Sequence, residues 1–333
     1  GGAVIVNIET CGGEPIPLEG LSPPHPDTPA PRPYRFNAET LRDLATGIRL
    51  NMNVLITGPV GCGKTSLPIA LAARLGRPVI RFNLNGETRV SGLIGSQRPV
   101  SVDGVLTLRF DYGALVTGLR GGYWIVLDEI DAAPAGVLMV LQPVLEEGAR
   151  RLHVPETGEC FAAHPNTRIF ATGNTLGYRA AKRVAHAGTH MVNQAFVDRF
   201  GMVLAADYPN RIEEIERVRA NAPHVNADFV DGICRVAESL RKDTSFRSDF
   251  STRRLIQWGR LLAEYQVPDK PGVFDVLRTF ELACGRKMES ATDLKIAREV
   301  VRRIFGYSEQ DERCGGGAAE PGATVTGRVS RGA

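Results

Sequence analysis

The segment Gly58-Pro59-Val60-Gly61-Cys62-Gly63-Lys64-Thr65 places three glycines, a lysine and a hydroxyl residue within eight positions. This is the pattern of a phosphate-binding loop. Glycines let the backbone close around an anion and turn several N–H groups inward. A helix that follows directly presents its positive N-terminal end to the same anion. Lys64 is expected to reach the β- and γ-phosphates, and the Thr65 hydroxyl to ligate Mg²⁺. The expected ligand of Gly58, Pro59, Val60, Gly61, Cys62, Gly63, Lys64 and Thr65 is therefore ATP with Mg²⁺. Cys62 is read as a small loop residue rather than a reactive thiol.

Two further segments could complete such a site. Trp124-Ile125-Val126-Leu127-Asp128-Glu129 is an apolar run ending in two carboxylates. In an open α/β sheet that end of a strand faces ligand. Asp128 is expected to hold the Mg²⁺ shell through water, because Mg²⁺ dehydrates reluctantly. Glu129 is expected to orient and polarise the attacking water. Asp131 is read as a cap for a helix starting near Pro134. Downstream, Ala171-Thr172-Gly173-Asn174 ends another apolar run. The Asn174 amide could hydrogen-bond the attacking water or the γ-phosphate.

Positioning these groups takes a sheet. Continuous apolar runs at 53–57, 79–84, 123–127, 168–172 and Met202–Ala205 are separated by helical spacing at Ser66–Leu75 and 134–147. Buried strands separated by helices predict a five-stranded parallel α/β sheet covered on both faces. Arg151–Val154 and 160–162 flank Pro155-Glu156-Thr157-Gly158, a turn signal that predicts an inserted β-hairpin. After Pro209 only helical periodicity remains, through Ala291–Phe305. The expected domains are a nucleotide-binding unit over 34–208 and a smaller helical lid over 209–307. Residues 1–33, with six prolines between Pro23 and Pro33, are read as an arm or linker. Residues 308–333 are read as a disordered tail.

Composition narrows the function classes. A formal net charge of +3 is too small to argue for nucleic acid. No apolar run approaches the roughly 18 residues needed to cross a bilayer, and the start lacks the pattern of a secretory signal. The expectation is a cytoplasmic protein without membrane contact. The six cysteines are widely spaced and suggest no disulfide framework.

The order of these motifs, with Asp198-Arg199-Phe200 and a helical lid, resembles an AAA+ ATPase, and the inserted hairpin resembles the MoxR and chelatase branch. Phe36-Asn37-Ala38-Glu39-Thr40, Gly188-Thr189, Asn193-Gln194-Ala195-Phe196-Val197-Asp198-Arg199-Phe200 and Ser251-Thr252-Arg253-Arg254-Leu255-Ile256-Gln257-Trp258 are similar to the ATPase subunits of aerobic cobaltochelatases. That resemblance runs from Tyr34 to Phe305. It implies ATP hydrolysis in a homo-oligomeric ring, expected as a hexamer. Arg199 would act on a neighbour's γ-phosphate, and Arg253 would sense nucleotide from the lid, with adjacent Arg254 able to exchange roles. Leu93-Ile94-Gly95 is similar to a loop that faces the central pore or client. Thr252 stands where proline is expected, with no consequence anticipated for chemistry. The resemblance further implies a separate partner bearing a von Willebrand-type metal-adhesion domain, and metal insertion into a tetrapyrrole. Competing readings are a MoxR-type chaperone for a metalloenzyme or other client, a nucleic-acid translocase, and a nucleotide-gated scaffold without turnover.

Overall fold

The computed structural model describes residues 2–11, 13–173, 194–265 and 273–307. A hairpin, β1 (Gly2–Cys11) and β2 (Gly13–Ser22), leads to β3 (Phe36–Asn37), α1 (Ala38–Arg49), β4 (Val54–Thr57), α2 (Ser66–Leu75), β5 (Val79–Asn83) and α3 (Val90–Ile94). A second hairpin, β6 (Gly95–Val102) and β7 (Val105–Tyr112), precedes α4 (Ala114–Gly121), β8 (Trp124–Asp128) and α5 (Ala135–Leu141). A third hairpin, β9 (Arg151–Val154) and β10 (Glu159–Ala162), precedes β11 (Arg168–Gly173), α6 (Gln194–Val197) and β12 (Met202–Ala205). The rest is helical: α7 (Arg211–Asn221), α8 (Ala227–Lys242), α9 (Thr252–Glu264), α10 (Val273–Ala283) and α11 (Ala291–Phe305).

The central sheet has the order β12-β4-β11-β8-β5 and is parallel throughout. Its strands show why the apolar runs are continuous. Leu55, Ile125, Leu127, Ile169 and Ala171 pack into one hydrophobic cluster. The alternate residues Val54, Ile56, Trp124, Val126 and Phe170 pack into another. Period-two alternation thus fills the layers on both faces. A third cluster lies within the helical unit, where Trp258 is fully buried beside Phe280 and donates its indole N–H to Thr279 Oγ1 at 3.2 Å. No described helix is long and apolar enough to cross a membrane.

The structure corrects four local expectations. Residues 2–11 and 13–22 are not a loose arm. They form the first hairpin, and β1 also pairs in parallel with β3 through Thr10↔Phe36 and Cys11↔Asn37. Ile8 and Leu18 bury against the α1–α2 side of the sheet. Pro15 and Pro17 are tolerated because β2 is an edge strand. Second, Leu93 and Ile94 are not an exposed loop but buried residues of α3. What projects is the β6–β7 hairpin, closed by Asp103 and Gly104, both with positive φ. Asp-Gly is a two-residue hairpin turn signal. Third, the helix expected over 134–147 stops at Leu141, and Pro143 opens a separate short 3₁₀ turn. Fourth, Asp131 lies in a 3₁₀ turn and does not cap α5, whose N-cap is Pro134 without a side-chain cap bond.

Candidate functional site

β4 delivers the glycine-rich loop from a strand with no exposed residue. Gly58 leaves it at φ 148°, and a Cβ there would lie 2.0 Å from the Ala206 carbonyl oxygen, so only glycine fits between β4 and the segment after β12. Lys64 is 8% exposed. Its Nζ donates to the carbonyl oxygens of Gly58 at 2.8 Å and Pro59 at 2.9 Å, so the ammonium lies folded across its own loop. Thr65 Oγ1 donates to Asp128 Oδ1 at 2.7 Å, joining the loop to the end of β8.

Asp128 is the most heavily engaged group of the site. Thr172 Oγ1 on β11 also donates to its Oδ1, and Arg81 Nε on β5 donates to its Oδ2 at 3.0 Å. Burial alone would push this carboxyl up. Donation from Thr172, Thr65 and Arg81, with the Arg81 charge, outweighs burial and holds it below the usual aspartate value. Glu129 follows with an exposed side chain and a left-handed backbone at φ 58°, a conformation sparsely used by residues other than glycine. Its amide donates to Thr172 Oγ1 at 3.1 Å. Thr172 therefore positions both carboxylate residues. The sequence reading passed over it for Asn174, which lies outside the described residues. Arg81 was missed as well; its only signal was a cation on the strand next to Asp128.

The lid closes on the loop at Gly61. A Cβ at Gly61 would come within 2.6 Å of Ser251 Cβ and 3.7 Å of Arg253 Cβ. Ser251 caps α9 by accepting from the Arg254 amide. Arg253 is exposed beside the loop. Arg254 turns into the lid, where its Nη2 donates to the Lys287 carbonyl at 3.4 Å. Of the two arginines left open by the sequence, the structure brings Arg253 to the phosphate loop. On the loop's other side a cavity of about 230 Å³ adjoins Cys62, Gly63 and Lys64, bounded by Tyr34, Asn37, Tyr208 and Arg217. Arg217 lies over the Tyr34 ring at 5.5 Å and donates to the Cys62 carbonyl at 3.4 Å. Burial pushes the Cys62 thiol up despite the opposing charge of Lys64, which fits a packing role.

Arg199 lies elsewhere. It precedes β12, and its carbonyl accepts from Asn53 Nδ2 at 2.9 Å just before β4 begins. It therefore stands at the amino edge of the sheet. The four residues of β4 separate that edge from Gly58, on the order of 13 Å at the usual strand rise. Its Nη1 donates to the Ala195 carbonyl at 2.8 Å, and Glu146 is its ion-pair partner at 3.9 Å. The adjacent Asp198 accepts from Gln194 Nε2 at 2.9 Å.

At the carboxyl edge the donor set suits a nucleotide with Mg²⁺. The Thr65 hydroxyl and the ionised Asp128 carboxylate are hard oxygen ligands on one spot, and Lys64 supplies a cation beside them. Residues 53–200 match the AAA domain (dynein-related subfamily). The chain is 32% identical to the aerobic cobaltochelatase subunit CobS of a Sinorhizobium species, covering 68% of this chain and 69% of that protein. It is 31% identical to protein NorQ of Paracoccus denitrificans, over 62% of this chain and 72% of that one. It is also 29% identical to midasin of Giardia intestinalis over 79% of this chain, which spans only 5% of midasin's length.

Proposed function

This chain belongs to the AAA+ ATPases of the MoxR type, and from that premise we propose that it is a motor subunit that hydrolyses ATP and passes the resulting movement to a separate protein. The observation that carries this reading is one constellation. Lys64, Thr65 and Asp128 meet at the carboxyl ends of β4 and β8, the two strands that flank β11, with the Glu129 amide held by Thr172 and Arg253 brought beside Gly61.

Lys64 exchanges its two carbonyl partners for β- and γ-phosphate oxygens. Thr65 and Asp128 are the residues that would hold Mg²⁺, which when bound neutralises those oxygens. Glu129 orients the attacking water, with Asn174 assisting. Arg253 reaches the nucleotide from the lid over 209–307, which turns on the core over 34–208 about Tyr208-Pro209. Arg199 stands too far from its own loop to serve it, so it completes a neighbour's site, where a planar permanent cation suits the charge building on the transferred phosphoryl group. The working form is then a homo-oligomeric ring, a hexamer in this proposal.

For the client we favour a cobaltochelatase-like role: ATP-dependent metal insertion into a tetrapyrrole, with a partner bearing a von Willebrand-type metal-adhesion domain. Its support is the match to CobS, which covers similar shares of both chains. The comparable match to NorQ, whose name carries no metal insertion, favours a second reading as a MoxR-type chaperone acting on a protein client. The test is Mg²⁺-dependent ATP turnover by the purified chain, then the same assay with such a partner, cobalt and a corrin-type macrocycle. Absence of turnover overturns the ATPase reading. Turnover stimulated by the partner without metal uptake by the macrocycle removes the chelatase role and leaves the chaperone.

A further inference from the structure

We propose that Thr252, Glu214, Arg241 and Tyr208 form a polar relay, buried at Thr252 and Glu214 and half-buried at Arg241 and Tyr208, that couples the start of lid helix α9 to the backbone of the phosphate loop, and that they are positioning residues for ATP turnover. The proposal rests on the ATPase reading above and adds a physical route between lid and loop.

The relay begins on the loop. The Tyr208 hydroxyl donates to the Val60 carbonyl oxygen at 2.9 Å. In a planar trans peptide the N–H points opposite to the C=O. Holding the Val60 carbonyl toward Tyr208 therefore fixes the direction of the Gly61 N–H. The Tyr208 ring is in turn covered by Arg241, whose guanidinium carbon sits 4.1 Å from the ring centroid.

Arg241 has no freedom to drift. Its Nε donates to the Phe250 carbonyl at 2.8 Å, and its Nη1 and Nη2 donate to the two oxygens of Glu214 at 2.9 and 2.8 Å. Glu214 is 1% exposed, so this ion pair is held away from solvent in bidentate geometry. Glu214 Oε1 accepts one further bond, from Thr252 Oγ1 at 2.6 Å. Thr252 is buried and is followed directly by Arg253, the residue that the lid brings to Gly61. A shift of the Arg253 backbone toward a bound phosphate carries the adjacent Thr252 with it. The shift then passes through Glu214 and Arg241 to the ring that holds Val60. Thr252 thus has the consequence for the site that its sequence position alone did not suggest.

Two near-isosteric changes test the relay without opening the core: Tyr208→Phe removes only the hydroxyl, and Thr252→Val only its hydrogen bond. Each should lower ATP turnover by about three- to tenfold, the range expected for one hydrogen bond. Thr252→Ser should restore it. The deciding measurement is the double variant. Residues without a shared network act independently and their losses multiply, whereas members of one network do not. The T252V/Y208F protein should lose no more than the worse of the two single variants, with thermal melting unchanged. Multiplied losses, or failure of Thr252→Ser to rescue, would overturn the relay. Reading the same cycle on ADP affinity separates this proposal from the one beneath it. A wild-type chain that binds ADP but never hydrolyses ATP would end the ATPase reading, while the affinity cycle would still decide the relay.

Discussion

The two edges of the central sheet both present a cation, yet they hold it differently. At the carboxyl edge Lys64 is buried and satisfied by its own loop, beside a carboxylate that four donors from three other segments keep ionised. At the amino edge Arg199 is fixed through its backbone by Asn53, while its guanidinium has one short hydrogen bond and a long pairing with Glu146. An anchored main chain with a loosely engaged head is what a group needs if its target lies outside its own chain. On the proposed function, the first edge would receive a ligand and the second would be offered to a neighbour.

The largest expected effect breaks the receiving edge. Lys64→Ala removes the main counter-charge for the β- and γ-phosphates, so calorimetric titration with Mg²⁺ and ATP should show binding lost; near-normal affinity would mean the loop is not the nucleotide site. Next comes the offered edge. Arg199→Ala should bind ATP normally but hydrolyse it about 10³-fold more slowly, as for loss of an arginine finger. Mixing it with Lys64→Ala subunits should restore part of the rate. If subunits exchange and no activity returns, the two edges do not meet across an interface. Glu129→Gln should keep binding and cut turnover by about 10²-fold; wild-type rates there would shift the role to another carboxylate. The smallest effect concerns the β9–β10 hairpin. Deleting residues 155–159, the turn and the first residue of β10, should leave basal turnover within about twofold, since these residues take no part in the hydrogen bonds described for Lys64, Thr65 and Asp128. The same deletion should abolish stimulation by the partner in the ATPase assay. Equal stimulation would assign partner contact elsewhere.

How well the sequence could be read followed the same division. The carboxyl edge uses a contiguous loop and strand ends, so residues 58–65, Asp128 and Glu129 are legible as candidates from local sequence, and the five strands with them. Contacts made across the fold were less visible. Thr172 and Arg81 become site residues only because β11 and β5 flank β8. The choice of Arg253 over Arg254 depends on how α9 meets Gly61. Two hairpins were missed for a simpler reason. The prolines between Pro23 and Pro33 mask the alternation around Ile8 and Leu18, and the runs on either side of Asp103-Gly104 are too mixed in polarity to mark two strands. Arg199 is a candidate through resemblance alone. Its local sequence says nothing of the edge on which it stands.

Mechanically, the β6–β7 ribbon is a lever with a footing. Its eight-residue strands reach on the order of 26 Å, and near the tip Leu106 and Leu108 are 75% and 69% exposed. At its base Tyr112 packs edge-on against Phe161 at 5.3 Å and bonds to Glu159, both on β10, while the Arg120 guanidinium lies over the Phe161 ring at 5.2 Å. A load applied at the tip is therefore shared by two ribbons. The second ribbon leads back to Arg150, clamped to Asn51 at the amino edge and only four residues beyond Glu146. Force on the lever and the stance of Arg199 are borne by the same short stretch of chain.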